Sequence, residues 1–316
     1  MANPRVSVVV AVYKAGKFLD ETVASVLAQS WSDFELILVD DGPDFGAFDS
    51  RAWTAEPRIR IVRGTRQGAA AAVNVGMRAA LGEWIALLDH DDVWLPGKLL
   101  AHMECVAGSP AIDLTFDWSR WIDGDGADLG LTTQPWRGAI SFEGLLEDFV
   151  IGTTSSIVVR RSAMERAGPM DPSLRLVYDT DFCLRIAAVR PGNCHAVPAY
   201  LTLYRRHAGQ LSDGFRNLQK EWNVLLTMAP RYAPRPLSRQ LAVADSNMRR
   251  YFAWLACEAG VPWSALRLAL SAFRRAPANA LRDRRNWMML AVAGGRLILP
   301  RRAWNAAIEM GKRRLR

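Results

Sequence analysis

Apolar positions along this chain come first as short unbroken runs and then, beyond about residue 214, at helical spacing. Val6-Ser7-Val8-Val9-Val10-Ala11-Val12-Tyr13 is a β-branched run of the kind that forms a strand buried on both faces. Residues 18–29 have helical spacing, with Phe18, Val23, Val26 and Leu27 able to share a face. Residues 34–39, 58–62 and 84–88 are further strand candidates, and the Ala-rich stretch 69–81 reads as a helix stopped by Gly82. The alternation β-α-β-(α)-β-α-β predicts an α/β fold whose mostly parallel sheet carries helices on both faces.

After Pro96 the pattern is less regular. Helices are expected at 98–107, 140–149, 162–167 and 181–188, strands at 155–159 and 199–204, and a mixture of strand and turn over 113–128. From residue 215 onward every periodic segment is helical, including a hairpin over 254–275. Two parts are therefore expected, 1–214 and 215–316.

Charge sharpens that division. Residues 1–214 hold 20 Lys and Arg against 27 Asp and Glu, a balance of −7, and residues 215–316 hold 20 against 5, a balance of +15. A segment so basic and rich in Trp suggests contact with something anionic: lipid headgroups, nucleic acid or the acidic N-terminal part. A solvated helical surface accounts for it equally well. The four cysteines have no Cys-x-x-Cys spacing, which argues against zinc and disulfides and suits a reducing cytoplasm. No signal peptide is expected, and no run reaches the ~20 apolar residues of a membrane span. The nearest, 287–299, is interrupted by Gly294, Gly295 and Arg296.

Candidate chemistry sits where apolar runs end in acid. Asp40-Asp41-Gly42 follows one strand, Asp89-His90-Asp91-Asp92 another, and Asp179-Thr180-Asp181 precedes a helix. Ligands of open α/β sheets bind at strand ends. The first cluster can accept hydrogen bonds from a ribose or a base, or form an Asp-Gly turn. In the second, three carboxylates within four residues repel one another unless a cation intervenes, and such oxygen ligands suit Mg²⁺ or Mn²⁺. The alternative is an acidic helix cap. The third can supply a base to an acceptor hydroxyl or cap its helix. The loop Arg63-Gly64-Thr65-Arg66-Gln67-Gly68 is basic enough to approach phosphates, or is a surface turn, and His207 is a ligand candidate near a metal diphosphate.

Taken in order, the clusters resemble the inverting, non-processive bacterial members of family 2 of the glycosyltransferases, with the GT-A fold. Val12-Tyr13, Ser25-Val26-Leu27-Ala28-Gln29, Val39-Asp40-Asp41-Gly42, Leu88-Asp89-His90-Asp91-Asp92 with Trp94-Leu95-Pro96, Asp179-Thr180-Asp181 and Tyr204-Arg205-Arg206-His207 carry the resemblance, together with Gly68, Ala72, Asn74, Gly76, Ala80, Gly82 and Glu83. Tyr178 stands where the family often has Glu, and Ala11, Lys14 and Pro43 also depart from its usual residues.

The resemblance implies a metal-dependent inverting transfer of one sugar from a nucleotide-diphosphate sugar. Ala11, Tyr13, Asp41, Arg66, Asn74, Asp89 and Asp91 would bind the donor. Asp89, Asp91, Asp92 and His207 would hold Mn²⁺ or Mg²⁺, and Asp179 would be the base, with Asp181 the alternative. The acceptor would be a glycan or lipid-linked sugar in bacterial surface-polysaccharide or glycolipid assembly. The enzyme would be cytoplasmic or peripheral on the inner membrane face, docked through Trp287, Met288, Met289, Leu290 and Trp304 of the basic part. No nucleic-acid partner is expected. Two other readings keep the same sheet: a sugar-phosphate nucleotidyltransferase, and an inactive nucleotide-sugar-binding protein.

Overall fold

The runs of β-branched residues pair side by side, and their acidic ends fall level. β1 (Val6–Val12), β2 (Phe34–Asp40), β3 (Ile59–Arg63) and β4 (Trp84–Asp89) form a parallel block in the order β3-β2-β1-β4. Helices α1 (Leu19–Leu27) and α2 (Ala69–Ala79) make the crossovers from β1 to β2 and from β3 to β4. The computed structural model describes residues 3–14, 16–43, 48, 51–207, 210 and 215–298. Between β2 and β3 the described residues hold a single 3₁₀ turn, Ala52–Ala55.

Alternating side chains of each strand feed the two faces of the sheet. Val8, Val10, Val12, Leu36 and Leu38 join Leu19, Val23 and Val26 of α1 in one buried cluster. On the other face α2 lies so close that a Cβ on Gly76 would fall 2.3 Å from Val9 Cγ1 and 2.9 Å from Val39 Cγ2. Only glycine permits that approach, and it fixes where α2 starts relative to the ends of β1 and β2.

The remainder of the sheet is mixed. It is built from β5 (Val93–Trp94), β6 (Leu114–Ile122), β7 (Asp128–Thr132), β8 (Gly138–Ile140), β9 (Ile157–Arg160) and β10 (Cys194–Arg205). β9 runs antiparallel to β4 and to β6, and β10 lies parallel to β6 and antiparallel to β5 and β8. β7 pairs with β6. β5, β7 and β8 are two to five residues long and lack an apolar run, so the hydrophobic pattern does not mark them. Helices α3 (Lys98–Ala107), α4 (Phe142–Glu147), α5 (Arg161–Ala167) and α6 (Tyr178–Val189) complete this part of the chain. The observed α6 starts three residues before the expected helix, which puts Asp179 and Asp181 inside its first turn.

The chain divides into two compact units, Met1–Leu145 with Phe149–Leu211, and Leu146–Asp148 with Ser212–Arg316. The division lies a few residues before the expected 214/215 boundary and assigns Leu146–Asp148 to the second unit. Its described helices are α7 (Phe215–Met228), α8 (Ser238–Glu258), α9 (Pro262–Arg275), α10 (Pro277–Arg282) and α11 (Arg284–Ile298). Small residues, among them Ala253, Ala256, Ala265, Ala269, Ala272, Ala280 and Ala293, fill its helix contacts. Arg249 and Arg275 both pair with the buried Asp245, at 3.1 and 2.6 Å. Among the described residues no helix is long and apolar enough to cross a membrane.

Candidate active site

Strand register builds the site. Val12 is level with Asp40 and Ala11 with Asp89, so the acidic ends of β2 and β4 flank the end of β1. Asp40 Oδ1 accepts the Gly42 amide at 3.1 Å, and Asp41 Oδ1 accepts the Arg66 amide at 2.6 Å. The loop before α2 thus folds back onto Asp41. A Cβ on Gly64 would lie 2.3 Å from Asp41 Oδ1, and Arg66 adopts φ 58°. Asp41 Oδ2 has no partner among the described residues, which leaves one acceptor beside the exposed Tyr13 and Arg66.

The loop after β4 is clamped from three sides. Thr22 Oγ1 of α1 reaches the carbonyl oxygens of His90 and Asp92, at 3.0 and 2.8 Å. Gln29 donates to Leu95 O at 2.9 Å and accepts the Leu99 amide at 3.0 Å, which satisfies one of the free N–H groups opening α3. The Ser-x-x-x-Gln segment is thus a brace for the acidic loop. From the end of β10, Arg205 donates its amide to Asp92 Oδ1 and its Nε–H to Asp91 O, both at 2.8 Å, while its guanidinium pairs with Glu21 and lies over the Phe18 ring.

This clamping sorts the three aspartates. Asp92 is fully buried, with Oδ2 accepting from Ser155 Oγ at 2.6 Å and Oδ1 from the Arg205 amide. Asp89 and Asp91 stay half-buried. Asp91 Oδ2 lies 2.9 Å from His207 Nε2. Asp179 also faces this group: its oxygens accept from the Thr180 amide at 2.7 Å and from Thr154 Oγ1 at 3.4 Å. Lost solvation, followed by the charges of Asp91 and Asp179, pushes the Asp89 carboxyl up to about 8. Burial raises the Asp179 carboxyl as well. The buried Tyr178 hydroxyl is raised by burial and then by Asp89 and Asp179, so the residue in the usual Glu position lies within reach of the same charges.

Among the described residues no Lys or Arg pairs with Asp89, Asp91 or Asp179. Neutralisation must come from protons or from a ligand cation. Asp89 and Asp91 offer carboxylate oxygens of the kind a hard divalent ion such as Mg²⁺ or Mn²⁺ takes, with the His207 imidazole 2.9 Å from Asp91. Among the described residues no group of three or more His, Cys, Asp or Glu side chains is placed to hold a metal ion. An ion there would be held by one or two carboxylates and completed by substrate phosphates.

Two expected site residues and the alternative base have their polar groups engaged elsewhere. Asn74 Nδ2 donates to Met170 O at 2.8 Å and its Oδ1 accepts the Met170 amide at 2.9 Å, so it ties α2 to the loop after α5. Asp92 is turned inward as above. Asp181 is buried and paired at 2.8 Å with Arg185, which also binds the carbonyls of Ala167, Gly168 and Pro169. Thr22, Thr153, Thr154 and Ser155, which belong to none of the acidic clusters, do part of the positioning. Ser155 Oγ receives the Asp89 amide at 3.0 Å, linking Asp89 to Asp92. Hydroxyl residues beside a short strand leave no pattern by which to find them.

Behind Asp92 lies a second buried charge cluster. Lys98 Nζ contacts Asp117 Oδ1 and Thr202 Oγ1, and Thr202 donates to Asp117 Oδ2 at 2.8 Å. His102 bridges Asp117 at 3.2 Å and Thr115 at 2.7 Å. Burial and then the Lys98 charge hold the His102 imidazole down to about 4. Asp117 is held below the usual carboxylate range, because Lys98 and His102 outweigh its burial.

A parallel 3-2-1-4 strand block with acidic strand ends, extended by a mixed sheet, defines a GT-A nucleotide-sugar fold. Solved structures agree in fold. Residues 1–349 of TarS from S. aureus, in complex with UDP-GlcNAc, align with TM-score 0.63 at 13% identity, over 92% of this chain and 90% of that one. The mannosyltransferase PcManGT of Pyrobaculum calidifontis, in complex with GDP-Man and Mn2+, aligns with TM-score 0.60 at 18% identity, over 94% and 86%. The family model for glycosyl transferase family 2 matches residues 7–168, and the chain belongs to that family.

Among curated relatives, the uncharacterized glycosyltransferase alr2836 of Nostoc sp. is 29% identical over 64% of this chain and 65% of its own length. Two Rickettsia glycosyltransferases are matched over 37% of their lengths. The E. coli UDP-Glc:alpha-D-GlcNAc-diphosphoundecaprenol beta-1,3-glucosyltransferase WfgD is 25% identical over 70% of this chain and 85% of its own.

Proposed function

We propose that this protein transfers one sugar from a nucleotide-diphosphate sugar to an acceptor hydroxyl with inversion at the anomeric carbon. The observation that carries the reading is the meeting of Asp89 and Asp91, at the end of β4, with Asp179 of α6, with no lysine or arginine paired to them among the described residues. The Asp41 oxygen without a partner among the described residues supports a role for that residue in holding the ribose or base with Arg66, and Ala11 and Tyr13 at the end of β1 would join them. Asp89 and Asp91, with His207 beside them, would hold Mn²⁺ or Mg²⁺ on the diphosphate. When bound, such an ion offsets negative charge on the diphosphate. Asp92 and Asn74 act as struts in this scheme, because their polar groups are engaged within the protein.

Asp179 is the base. The acceptor oxygen attacks the anomeric carbon, the bond from that carbon to the diphosphate oxygen breaks, and the acceptor proton passes to an Asp179 oxygen. The nucleoside diphosphate leaves. One displacement inverts the centre and needs no enzyme nucleophile. A base whose carboxyl is raised by burial takes a proton more readily than a solvated one, and a positioned base contributes typically ~10²–10⁴-fold. Asp181, paired with Arg185, is less suited to the task.

The similarity to WfgD, a glucosyltransferase acting on alpha-D-GlcNAc-diphosphoundecaprenol, supports a lipid-diphosphate-linked sugar as acceptor, in bacterial surface-polysaccharide or glycolipid assembly, which would bring the enzyme to the cytoplasmic face of the membrane. The test is a donor panel of UDP-Glc, UDP-GlcNAc and GDP-Man, each with and without Mn²⁺, read first by thermal shift and then by transfer to diphosphate-linked GlcNAc. A true donor well above its dissociation constant raises the melting temperature, and more so with Mn²⁺. Stabilisation by a donor without transfer to any acceptor would point to a binding protein. Pyrophosphate release from a nucleoside triphosphate and a sugar phosphate would point to a nucleotidyltransferase.

A further inference from the structure

The second unit carries a surface that the transfer reaction does not use. On α9 the outward positions Trp263, Arg267, Leu270 and Arg274 recur at the spacing of one helix face, opposite the buried Ala265, Leu268, Ala269 and Ala272. On α11 Arg284, Trp287, Met288, Ala291 and Ile298 face out, while Asn286, Met289 and Ala293 are buried. Both helices pack on α8 by their buried faces. They meet at the outer edge through the Phe273 and Trp287 rings, with centroids 5.0 Å apart. Trp287 Nε1 donates to Leu281 O at 3.0 Å, which brings α10 into the same surface. The surface so formed leaves large apolar side chains in solvent, with Trp263 67%, Leu281 57% and Trp287 51% exposed.

The charges are sorted as well. Asp245, Asp283 and Asp148 pair with Arg249, Arg275, Arg250 and Arg285. Arg267, Arg274, Arg282 and Arg284, which border the patch, have no acidic partner among the described residues. The sequence beyond Ile298 adds six Lys and Arg against one Glu. Bare arginines around a patch repel a second copy of the same face. Guanidinium groups interspersed with exposed Trp, Leu and Ile on one set of helix faces suit a layer of phosphate above alkyl chains.

We propose that the outer face of α9, α10 and α11 docks on an anionic lipid bilayer. Leu281, Trp287 and Trp263 enter the headgroup boundary, and the four arginines meet lipid phosphates. Of the docking residues expected from sequence, Trp287 and Met288 are exposed, Leu290 is half-buried, Met289 is buried and Trp304 lies outside the described residues, while Trp263, Leu270 and Leu281 join them. The inference stands on the second unit and does not depend on which sugar, if any, is transferred.

Sedimentation of the full chain with phosphatidylethanolamine vesicles containing phosphatidylglycerol tests it, with phosphatidylcholine vesicles as the uncharged comparison. Pelleting is expected with the anionic vesicles at about 0.1 M salt and release near 1 M, where the Debye length falls to about 3 Å. Each arginine at such a surface is worth about fivefold in partition, so R267Q/R274Q/R282Q/R284Q should lose several-hundredfold. Should that variant melt early, R267Q and R284Q singly should each lose about fivefold. W287S/L281S should weaken binding at both salt levels. Absence of pelleting at low salt overturns the proposal, as does pelleting that the arginine variants leave unchanged. Binding of duplex DNA as tight as that of vesicles, with the same dependence on Trp287 and Leu281, also overturns it. A donor-induced thermal shift that persists in the arginine variants keeps this outcome separate from that of the transfer reaction.

Discussion

Two groups of carboxylates lie on either side of Asp92, one fully buried and one half-buried, and they titrate in opposite directions. Asp117 has Lys98, His102 and Thr202 around it, and its carboxyl is held below the usual range. Asp89 faces Asp91 and Asp179, with no Lys or Arg paired to any of them among the described residues, and its carboxyl rises to about 8. Burial acts on both in the same sense, so the difference lies in the partners. The Asp117 cluster is complete within the protein and behaves as scaffold. The Asp89 cluster is incomplete, and what completes it is a proton or a ligand.

Asp179→Asn puts that contrast to its hardest test. It should lower the transfer rate ~10²–10⁴-fold with donor binding kept, measured by single-turnover transfer alongside donor thermal shift. The same change removes one of the crowded charges, so the melting temperature should not fall. Wild-type transfer by this variant would end the assignment of Asp179 as base.

Lys98→Met should act on stability instead. It strands the Asp117 charge in the core, and urea unfolding should show a loss of about 3–5 kcal/mol. A loss well under this would mean that Asp117 does not depend on Lys98.

Titration separates the clusters next. His102 has a folded pKa of about 4 against an ordinary 6.5, so its neutral form is favoured by folding. The stability it supports is present above pH 6.5 and is lost as pH falls toward 4, by on the order of 3 kcal/mol. His102→Gln should flatten the acid limb of a stability–pH curve. Asp89 has the reverse sign: its raised carboxyl costs stability as pH rises from about 4 to about 8. Metal-free Asp89→Asn should therefore be more stable than wild type at alkaline pH and equal to it at acid pH.

Ser155→Ala is the smallest change, a loss of about 1–3 kcal/mol from a buried Asp92 oxygen deprived of its hydroxyl donor. An equal loss in an Asp92→Asn background would show that the hydroxyl does not act through Asp92.

Much of this was visible along the chain. Each β-branched run of the first half became a strand, because alternation cannot bury a segment on both faces but an unbroken apolar run can. The acidic endings marked where a ligand belongs, since strand ends of such sheets open to it. The chain did not show β5, β7 or β8, whose few residues pair through the backbone and need no apolar pattern. Nor did it show that Gln29 caps α3 or that Asn74 grips Met170, because hydrogen bonds across 70 and 96 residues leave no local trace.

The sequence by itself determined the parallel block, the acidic strand ends and the basic helical second part, all of which follow from local runs and composition. Only the tertiary structure decided which aspartate is engaged within the protein and which is left open. Asp89, Asp91 and Asp92 are chemically identical neighbours. Asp92 was set apart by Ser155 from before β9 and Arg205 from the end of β10, both brought to it by the mixed half of the sheet. A carboxylate's role depends on which charges and donors surround it in space, and those partners come from segments more than 60 residues away.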